Sequence, residues 1–330
     1  MRSSARGSNS WSRRASSLNL LFVIDPPEEL KAYKDTTVAM MRAAQARGHA
    51  VFVCEQSALL WAKSSVAARA TRLSLSDDDE DWYSTHEDVE RPLAEFGAVL
   101  MRKDPPFDME YVASSWLLSH AERQGAKVFN APDAVRDHNE KFSIAEFPQF
   151  TVPSLVARRM EDLQAFVDEH RHVVLKRLDG MGGTGIFVLR HDDPNRNVIV
   201  ETISALGIRS VMAQRYIPEI AQGDKRVLLI DGSVVPQCLA RIPKTGESRG
   251  NLAAGARGVA QPVSARHREI AAALGPKLAA RGLLLVGLDV IGDWLTEINV
   301  TSPTCFREIQ DQSGFDVSGM FMDALESRLS

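Results

Sequence analysis

The residues best suited to chemistry lie in an acidic β-hairpin that the sequence predicts at positions 288–304. Apolar and polar residues alternate on both sides of a central Gly-Asp pair, which is typical of a half-buried hairpin. A loop of odd length, such as residues 292–294, would set Asp289 directly opposite Glu297. Asn299 would follow two residues on, on the same face. Two carboxylates and an amide oxygen would repel one another there without a cation, and such hard ligands suit Mg²⁺ bound with substrate phosphates. A solvated polar face on an edge hairpin is the alternative interpretation.

A glycine-rich segment lies about one domain upstream of this hairpin. Gly180, Gly182 and Gly185 match the G-x-G-x-x-G pattern of dinucleotide-binding folds, but that motif requires a helix after the glycines. Here the β-type run Ile186–Arg190 follows. Strand, glycine loop, strand is the arrangement of a flap that covers a nucleoside triphosphate and offers backbone N–H groups to it. Lys176, at the end of the preceding strand, would place an ammonium on the phosphates. The glycines alone would fit a simple β-turn, whereas together with the acidic hairpin they predict an ATP·Mg site.

The elements that must position these residues fall into three predicted units. Alternating strands and helices over residues 18–138 describe an open, mostly parallel α/β domain. A smaller unit, residues 139–213, contains the glycine flap and a helix at Met160–Glu169. The third unit, residues 214–330, contains the acidic hairpin, a helix at Ala265–Arg281 and a closing helix from Gly319. In the first unit we predict strands at Leu18–Asp25, Val51–Glu55, Ala98–Arg102 and Lys127–Asn130, and helices at Thr36–Gly48 and Tyr111–Gln124.

Length and composition indicate a globular protein with two or more domains. The chain has 330 residues, of which 44% are hydrophobic. A net charge of −4 gives no electrostatic reason to expect nucleic acid or an anionic membrane as a partner. The sequence shows no apolar run near the roughly 20 residues of a membrane span. Three cysteines without a short spacing argue against a disulfide framework or a zinc site and fit a reducing cytosol, so we expect a cytoplasmic protein.

Two charged segments stand outside this organisation. Residues 1–17 contain four Arg, seven Ser and no acidic residue, a composition shared by organelle transit peptides and disordered extensions. We favour the disordered extension and treat organelle import as a minor alternative. The acidic run Asp77–Asp81 is expected to be a solvated loop between strands.

Six short motifs follow one another along the chain in a characteristic order. They are Asn139–Lys141, Leu175–Gly183, Gly223–Val227, Ala240–Pro243, Ser248–Gly255 and Thr296–Thr304. In this order they resemble prokaryotic-type glutathione synthetase, a family of carboxylate–amine ligases in the ATP-grasp superfamily. The similarity begins near Leu18 and includes Met101–Asp108. This stretch and Ser248–Gly255 are the more specific motifs, whereas several others are shared across ATP-grasp ligases.

The resemblance implies the fold, the reaction and the assembly. The expected fold is ATP-grasp, with an N-terminal open α/β domain of Rossmann-like (pre-ATP-grasp) type and the nucleotide between the second and third units. The expected reaction joins γ-glutamylcysteine to glycine through an acyl phosphate and yields glutathione, ADP and phosphate. The loop at residues 242–258, which is rich in glycine, would be a mobile lid that protects the acyl phosphate from water. A homotetramer is expected for this family.

The resemblance also implies a role for each motif residue. ATP would be bound by Lys141, Lys176, Gly180, Met181, Gly182, Gly183, Gln214, Tyr216, Ile217 and Asp224. Mg²⁺, with Mn²⁺ as an alternative ion, would be bound by Asp289, Glu297 and Asn299. Catalysis would depend on Arg226, Arg241 and Arg249. The peptide would contact Asp35, Arg241, Arg249, Asn299, Thr301 and Ser302. For each arginine alone, a surface salt bridge is the alternative, most of all for Arg249.

Three rival functions stay open. Another ATP-grasp ligase with a different acid and amine would share every nucleotide-binding residue. A non-catalytic ATP-binding regulator would be expected to lose part of the Mg²⁺ ligand set, which is complete here. A nicotinamide-dependent oxidoreductase requires the glycines at 180–185 to open a helix.

Overall fold

The structure is a computed structural model that describes residues 17–247, 250–252 and 255–330. Arg249, parts of the predicted lid and all but the last residue of the predicted extension at 1–17 lie outside the described residues. Within the described ranges the chain forms three β-sheets with helices packed on them. No helix in these ranges is both long enough and apolar enough to cross a membrane.

The first sheet has seven strands and spans residues 19–129. Its strands are β1 (Asn19–Ile24), β2 (Ala50–Glu55), β3 (Leu59–Ala62), β4 (Ser65–Leu75), β5 (Tyr83–Pro92), β6 (Ala98–Met101) and β7 (Val128–Phe129). Strands β2, β1, β6 and β7 are parallel neighbours in that order. The apolar run of β1 is at most 1% exposed, as expected for a parallel strand that is covered on both faces.

Three helices are associated with this sheet, and aspartates cap the first two. They are α1 (Thr36–Ala46), α2 (Met109–Arg123) and α3 (Pro132–Asp137). Asp35 accepts a hydrogen bond from the Val38 N–H at 2.9 Å, and Asp108 accepts one from the Tyr111 N–H at 3.0 Å. The predicted helices at 36–48 and 111–124 are confirmed within two residues at each end.

Strands β3, β4 and β5 form an antiparallel arm that the sequence did not predict. Strand β4 pairs antiparallel with β2, β3 and β5, so the expected parallel arrangement holds for four of the seven strands. Strand β5 escaped prediction because it is mostly polar and exposed and lacks the apolar alternation of a half-buried strand. The acidic run Asp77–Asp81 connects β4 to β5, which confirms that it is a loop between strands.

The second sheet has four antiparallel strands in the order β10-β9-β11-β8. They are β8 (Ser154–Ala157), β9 (His172–Arg177), β10 (Ile186–Arg190) and β11 (Val211–Arg215), covered by helices α4 (Met160–His170) and α5 (Arg196–Ser204). The glycine segment joins β9 to β10 as an antiparallel hairpin with Ile186 opposite Lys176. Strand, loop and strand are thus confirmed, and the helix that a nicotinamide-binding motif requires does not follow the glycines.

The third sheet has five antiparallel strands in the order β14-β13-β12-β15-β16. They are β12 (Asp224–Ile230), β13 (Ser233–Ile242), β14 (Arg257–Pro262), β15 (Leu285–Ile291) and β16 (Trp294–Asn299). Helix α6 (Ala265–Ala280) connects β14 to β15, and helices α7 (Phe306–Ser313) and α8 (Val317–Leu329) follow β16. Residues of α7 and α8 share one apolar core with β1, α1 and β12, so the third sheet and the first are packed together.

A buried asparagine crosses this junction. The Asn130 side chain follows β7, donates to the Leu285 carbonyl at 2.7 Å and to the Val300 carbonyl at 2.8 Å, and accepts from the Leu285 N–H at 2.9 Å. All three partners of this side chain are backbone groups, which belong to Leu285 and Val300. The Asn130 side chain therefore fixes β7 against β15 and the end of β16.

Candidate active site

A cavity of about 290 Å³ is lined by strands of the second and third sheets and by the segments that connect them. All of the site residues predicted from the sequence line this cavity, with two exceptions. Arg249 lies outside the described residues. Asp35 does not line the cavity, because its carboxylate caps helix α1.

The acidic hairpin has the predicted pairing but a different loop. Asp289 lies opposite Glu297, and Asn299 lies opposite Gly287. The predicted odd-length loop is wrong: Ile291 pairs with Trp294 across a two-residue turn. A β-bulge, in which Thr296 is the extra residue, restores the register, and its hydroxyl donates to the Asp289 carbonyl at 3.1 Å. The bulge, rather than the turn, brings the two carboxylates to the same face.

Two arginines and two aspartates form a buried charge cluster on the third sheet. Arg226 lies opposite Asp289, with Nε and Nη2 at 2.6 and 3.2 Å from the two carboxylate oxygens. Arg241 lies opposite Asp224, and its Nη2 is 2.5 Å from Asp224 Oδ2 and 2.9 Å from Asp289 Oδ2. Each buried charge is therefore paired, as burial requires.

The cluster sets the protonation of its acids. Burial raises the pKa of Asp289, but Arg226 and Arg241 outweigh it and hold that pKa well below the usual range. Burial raises the pKa of Asp224 to about 6. Attraction by Arg241 lowers this pKa, and repulsion by Asp289 raises it further. Asp289 is therefore the permanently ionised member. Asp224 Oδ1 and Arg241 Nε are buried without a hydrogen-bond partner in the described structure, so each can still bind a ligand group.

Two lysines approach the same cavity from the other side. Lys176 Nζ is 3.3 Å from Glu297 Oε1, and Lys141 Nζ donates to the Gly180 carbonyl at 2.5 Å. Both side chains are buried. Burial raises the pKa of Glu297, but the two ammonium groups outweigh it and keep that pKa low. Two cations are thus held where anionic phosphates would enter.

The glycine loop brings its main chain to the cavity beside these lysines. Gly182 and Gly183 have φ values of +59° and +84°, a conformation that glycine adopts without strain. Gly180 has no room for a side chain, because a Cβ would lie 2.9 Å from the Thr184 carbonyl oxygen. The loop can therefore present backbone N–H groups at close approach to phosphates.

An apolar part of the cavity is suited to a flat aromatic base. It is bordered by Gln214, Tyr216 and Ile217. Aliphatic side chains from both sheets and from the segment between β11 and β12 complete it, namely Val174, Ile186, Val188, Ile291 and Ile220. Gln214 Nε2 donates to Ser154 Oγ at 3.2 Å, and the Tyr216 ring stacks on His172 at 3.8 Å between centroids. An apolar slot with a few fixed polar groups at its edge is typical of a nucleotide-base pocket.

The end of β16 is held by residues to which sequence reasoning gave no role. Glu140 Oε1 accepts hydrogen bonds from the Val300 and Thr301 N–H groups and from the Thr301 hydroxyl. Ser302 Oγ donates to the Arg102 carbonyl at 3.2 Å. Glu140 was within reach of sequence analysis, since it is the central residue of the motif from which Lys141 was selected.

The oxygen ligands predicted for Mg²⁺ fit an ion that is bound together with substrate phosphates. Within the described residues there is no cluster of three His, Cys, Asp or Glu side chains that could hold a metal alone. Mg²⁺ usually takes only one or two carboxylates together with substrate phosphates, and the set Asp289, Glu297 and Asn299 fits that pattern. The Asn299 amide nitrogen donates to the Gly287 carbonyl at 3.1 Å, which leaves its oxygen as the ligand atom. Both oxygens of Asp289 are already paired with arginines, so Glu297 and Asn299 are the more available ligands.

Comparisons with known proteins cover nearly the whole chain. Residues 18–136 match the N-terminal domain of prokaryotic glutathione synthetase, and residues 140–314 match its ATP-grasp domain. Glutathione synthetase of Ralstonia nicotianae is 57% identical over 309 residues, covering 94% of this chain and 95% of that protein. The corresponding protein of Pseudomonas aeruginosa is 52% identical over 314 residues, covering 95% and 99%.

Solved structures show the same fold at low sequence identity. D-cycloserine synthetase superimposes with a TM-score of 0.66 at 15% identity and covers 94% of this chain and 100% of that one. A RimK-domain ATP-grasp protein from Sphaerobacter thermophilus gives 0.61 at 19% identity and covers 93% and 98%. With the fold shared by these structures and the sequence shared with the glutathione synthetases, the chain belongs to the prokaryotic glutathione synthetase family and has the ATP-grasp fold.

Proposed function

We propose that the chain is a glutathione synthetase that joins the cysteinyl carboxylate of γ-glutamylcysteine to the amine of glycine, with conversion of ATP to ADP and phosphate. The observation that carries the proposal is the convergence of Lys141, Lys176, Arg226 and Arg241 on one cavity that also holds an apolar base pocket and the carboxylates of Asp289 and Glu297. Membership of the family supports the named substrates.

The reaction requires an activated carboxylate. A carboxylate oxygen attacks the γ-phosphorus of ATP, the bond to the bridging oxygen breaks, and ADP leaves. The glycine nitrogen then attacks the acyl carbon, the bond to the phosphate oxygen breaks, and the amine loses a proton. Both steps place negative charge on oxygens, so catalysis depends on positioned cations and hydrogen-bond donors rather than on a covalent enzyme intermediate.

The nucleotide is assigned to the groove between the second and third sheets. Lys141, Lys176 and the glycine loop at 180–183 bind its phosphates, while Gln214, Tyr216 and Ile217 border the adenine. Asp224 accepts from a ribose hydroxyl through its unpaired Oδ1. Mg²⁺, or Mn²⁺ in its place, would be held by Glu297 and Asn299 with Asp289, and would neutralise phosphate charge.

The peptide side of the site is assigned to the arginines and to the segment after β16. Arg226 and Arg241 stabilise the transferring phosphoryl group and the developing oxyanion, and Arg241 and Arg249 pair with substrate carboxylates. Asn299, Thr301 and Ser302 contribute polar contacts. The geometry does not favour the earlier assignment of Asp35, because its carboxylate is engaged as a helix cap.

The proposed organisation assigns residues 18–138 to the peptide side, 139–213 to the nucleotide lid subdomain and 214–330 to the Mg²⁺-binding subdomain. We place the protein in the cytoplasm, since its three cysteines are free thiols. We propose a homotetramer because one is expected for the family, and sedimentation velocity tests it.

The loop over residues 242–258 is proposed to cover the cavity during the reaction. Its described residues Gly250, Asn251 and Leu252 already line the cavity. Closure would keep water from the acyl phosphate. Proteolytic nicking of this loop should therefore lower the ratio of glutathione formed to ATP consumed. An unchanged ratio after complete cleavage would reject the lid.

The test of the function is ADP release by the purified chain with ATP, Mg²⁺ and γ-glutamylcysteine, with and without glycine, together with mass detection of glutathione. The expected result is glycine-dependent ADP release matched by an equal amount of glutathione. ATP turnover without glutathione would favour another carboxylate–amine ligase. Absence of turnover in folded protein that binds ATP would favour a binding protein.

A further inference from the structure

The tripeptide Asn139-Glu140-Lys141 runs between the end of β16 and the glycine loop. On one side the Glu140 carbonyl accepts from the Ile298 N–H at 2.8 Å. On the other side Asn139 Nδ2 donates to the Leu178 carbonyl at 3.1 Å, and Lys141 Nζ donates to Gly180. The tripeptide therefore touches both the peptide side and the nucleotide side of the cavity.

One carboxylate oxygen of Glu140 accepts three hydrogen bonds. Oε1 accepts from the Val300 N–H at 2.9 Å, from the Thr301 N–H at 3.1 Å and from the Thr301 hydroxyl at 2.8 Å. Because three donors of residues 300 and 301 converge on this one oxygen, it anchors the turn that leaves β16. Ser302, the last residue of that turn, and Pro303, which follows it, line the cavity.

The nucleotide lysines have other anchors. Lys176 is held by Glu297, and Lys141 by the Gly180 carbonyl, neither of which involves the Glu140 side chain. Loss of the Glu140 carboxylate would therefore loosen the segment at 300–303 while leaving the phosphate-binding cations in place.

We infer that Glu140 is a positioning residue that fixes the turn at 300–302 for the peptide substrate, without contacting the reacting atoms itself. The inference rests on the proposed function, because it assigns that turn to γ-glutamylcysteine. It specifies that the acceptor oxygen, rather than the negative charge, is the essential property of the residue.

The test compares Glu140→Gln, which keeps an acceptor oxygen, with Glu140→Ala, which removes it. Glu146→Ala serves as the matched control, because Glu146 lies six residues further along the chain and forms an exposed ion pair with Arg281. Three quantities are measured for each variant: kcat/KM for γ-glutamylcysteine, the dissociation constant of a non-hydrolysable ATP analogue, and the rate of hydrogen–deuterium exchange in the peptide that contains residues 300 and 301.

Glu140→Ala should lower kcat/KM for γ-glutamylcysteine by roughly 100-fold, since three hydrogen bonds to one acceptor oxygen are lost. The affinity for the ATP analogue should change by less than about threefold, and exchange at 300–301 should accelerate by about tenfold or more. Glu140→Gln should stay within about tenfold of wild type in kcat/KM, with slow exchange at 300–301. Glu146→Ala should match wild type in all three quantities.

Equal impairment of the Gln and Ala variants with unchanged exchange would overturn the inference and assign Glu140 a direct electrostatic role. An Ala variant with wild-type kinetics would overturn it as well. If wild type itself forms no glutathione, the proposed function fails, and exchange still decides the anchoring: unaltered exchange in Glu140→Ala rejects it, and accelerated exchange upholds it.

Discussion

At the scale of single residues, the arrangement of charged groups in the cavity depends on a glycine that leaves space for one of them. Gly287 lies on β15 opposite Asn299, with backbone geometry that any residue could adopt. A Cβ at this position would lie 2.9 Å from Arg226 Cδ and 3.2 Å from its Nε. The glycine is therefore required for space, because it lets the Arg226 guanidinium lie along the strand and reach Asp289.

Gly287→Ala should displace Arg226 and lower kcat by roughly 100-fold, the cost typical of a misplacement of about 1 Å in an active site. Affinity for an ATP analogue should change little, since Lys141 and Lys176 are untouched. Steady-state kinetics measures the effect. Gly97→Ala is the control, because it brings a Cβ equally close, 2.9 Å, to a side-chain carbon of Leu18 in the first sheet. Equal losses in both variants would mean that only general packing is disturbed.

The role of Lys176 as a phosphate cation gives a second prediction at this scale. Lys176→Met should weaken binding of an ATP analogue by roughly 10- to 100-fold, because a hydrogen bond to a charged group is worth about 1.5–3 kcal/mol. Isothermal titration calorimetry measures the affinity. Lys277→Met, which removes an ammonium 5.2 Å from the Phe147 ring and away from the cavity, should bind like wild type. Wild-type affinity in the Lys176 variant would contradict the assignment.

At the scale of elements, the hairpin shows what local pattern can and cannot determine. The alternation around residues 292–293 predicted two strands, and the polar residues on it predicted which side chains meet. The turn length was predicted wrongly, because a bulge at Thr296 has no distinctive sequence pattern and shifts the register by one residue. Strand β5 was missed for a related reason, since its stability comes from pairing with β4 rather than from burial.

The junction between elements depends on Asn130, which gives a prediction for stability. Asn130→Ala would leave the Leu285 N–H and two carbonyls buried without partners, at about 1–3 kcal/mol for each stranded group. We expect the free energy of unfolding to fall by about 3 kcal/mol or more in urea denaturation. Asn197→Ala, at an exposed asparagine that pairs with Gln164, should cost less than about 0.5 kcal/mol. A similar small cost for both variants would show that the junction does not depend on this side chain.

At the scale of the whole molecule, the site is assembled from segments far apart in the sequence. Motif order along the chain predicted which residues would converge, and all of those in the described ranges except Asp35 line one cavity. No motif predicted which charged residues pair with each other, such as the two ion pairs that Asp289 forms with Arg226 and Arg241. Those contacts depend on the strand order of the third sheet, which arises from long-range packing rather than from local pattern.

The stability of the molecule should depend on a buried histidine. Burial lowers the pKa of His138, with Glu146 acting in the opposite direction, and its Nε2 lacks a partner in the described structure. Because the folded pKa lies below the unfolded value near 6.5, the unfolded chain binds more protons in the window between them. Stability should therefore fall as the pH drops through about 6.5, by up to about 1.4 kcal/mol per pH unit for one group.

His138→Gln should reduce this loss, which denaturation at pH 7.5 and pH 5.5 measures. His86→Gln, at an exposed histidine that contacts Ser74, is the control and should keep the wild-type dependence. The explanation fails if the His138 variant loses as much stability between these two pH values as wild type does.

The core shared by β1, α1 and α8 also determines when, during synthesis of the chain, the fold can be completed. Leu20 and Phe22 of β1 pack in the same cluster as Phe321 and Met322 of α8. A ribosome that adds roughly 5–20 residues per second needs on the order of 15–60 s to pass from β1 to α8. During that interval helix α1 covers part of this apolar face, and the part that packs against α7 and α8 has no permanent cover. The nascent chain is therefore a natural substrate for chaperones that shield apolar surface, and it becomes independent of them only when α8 emerges.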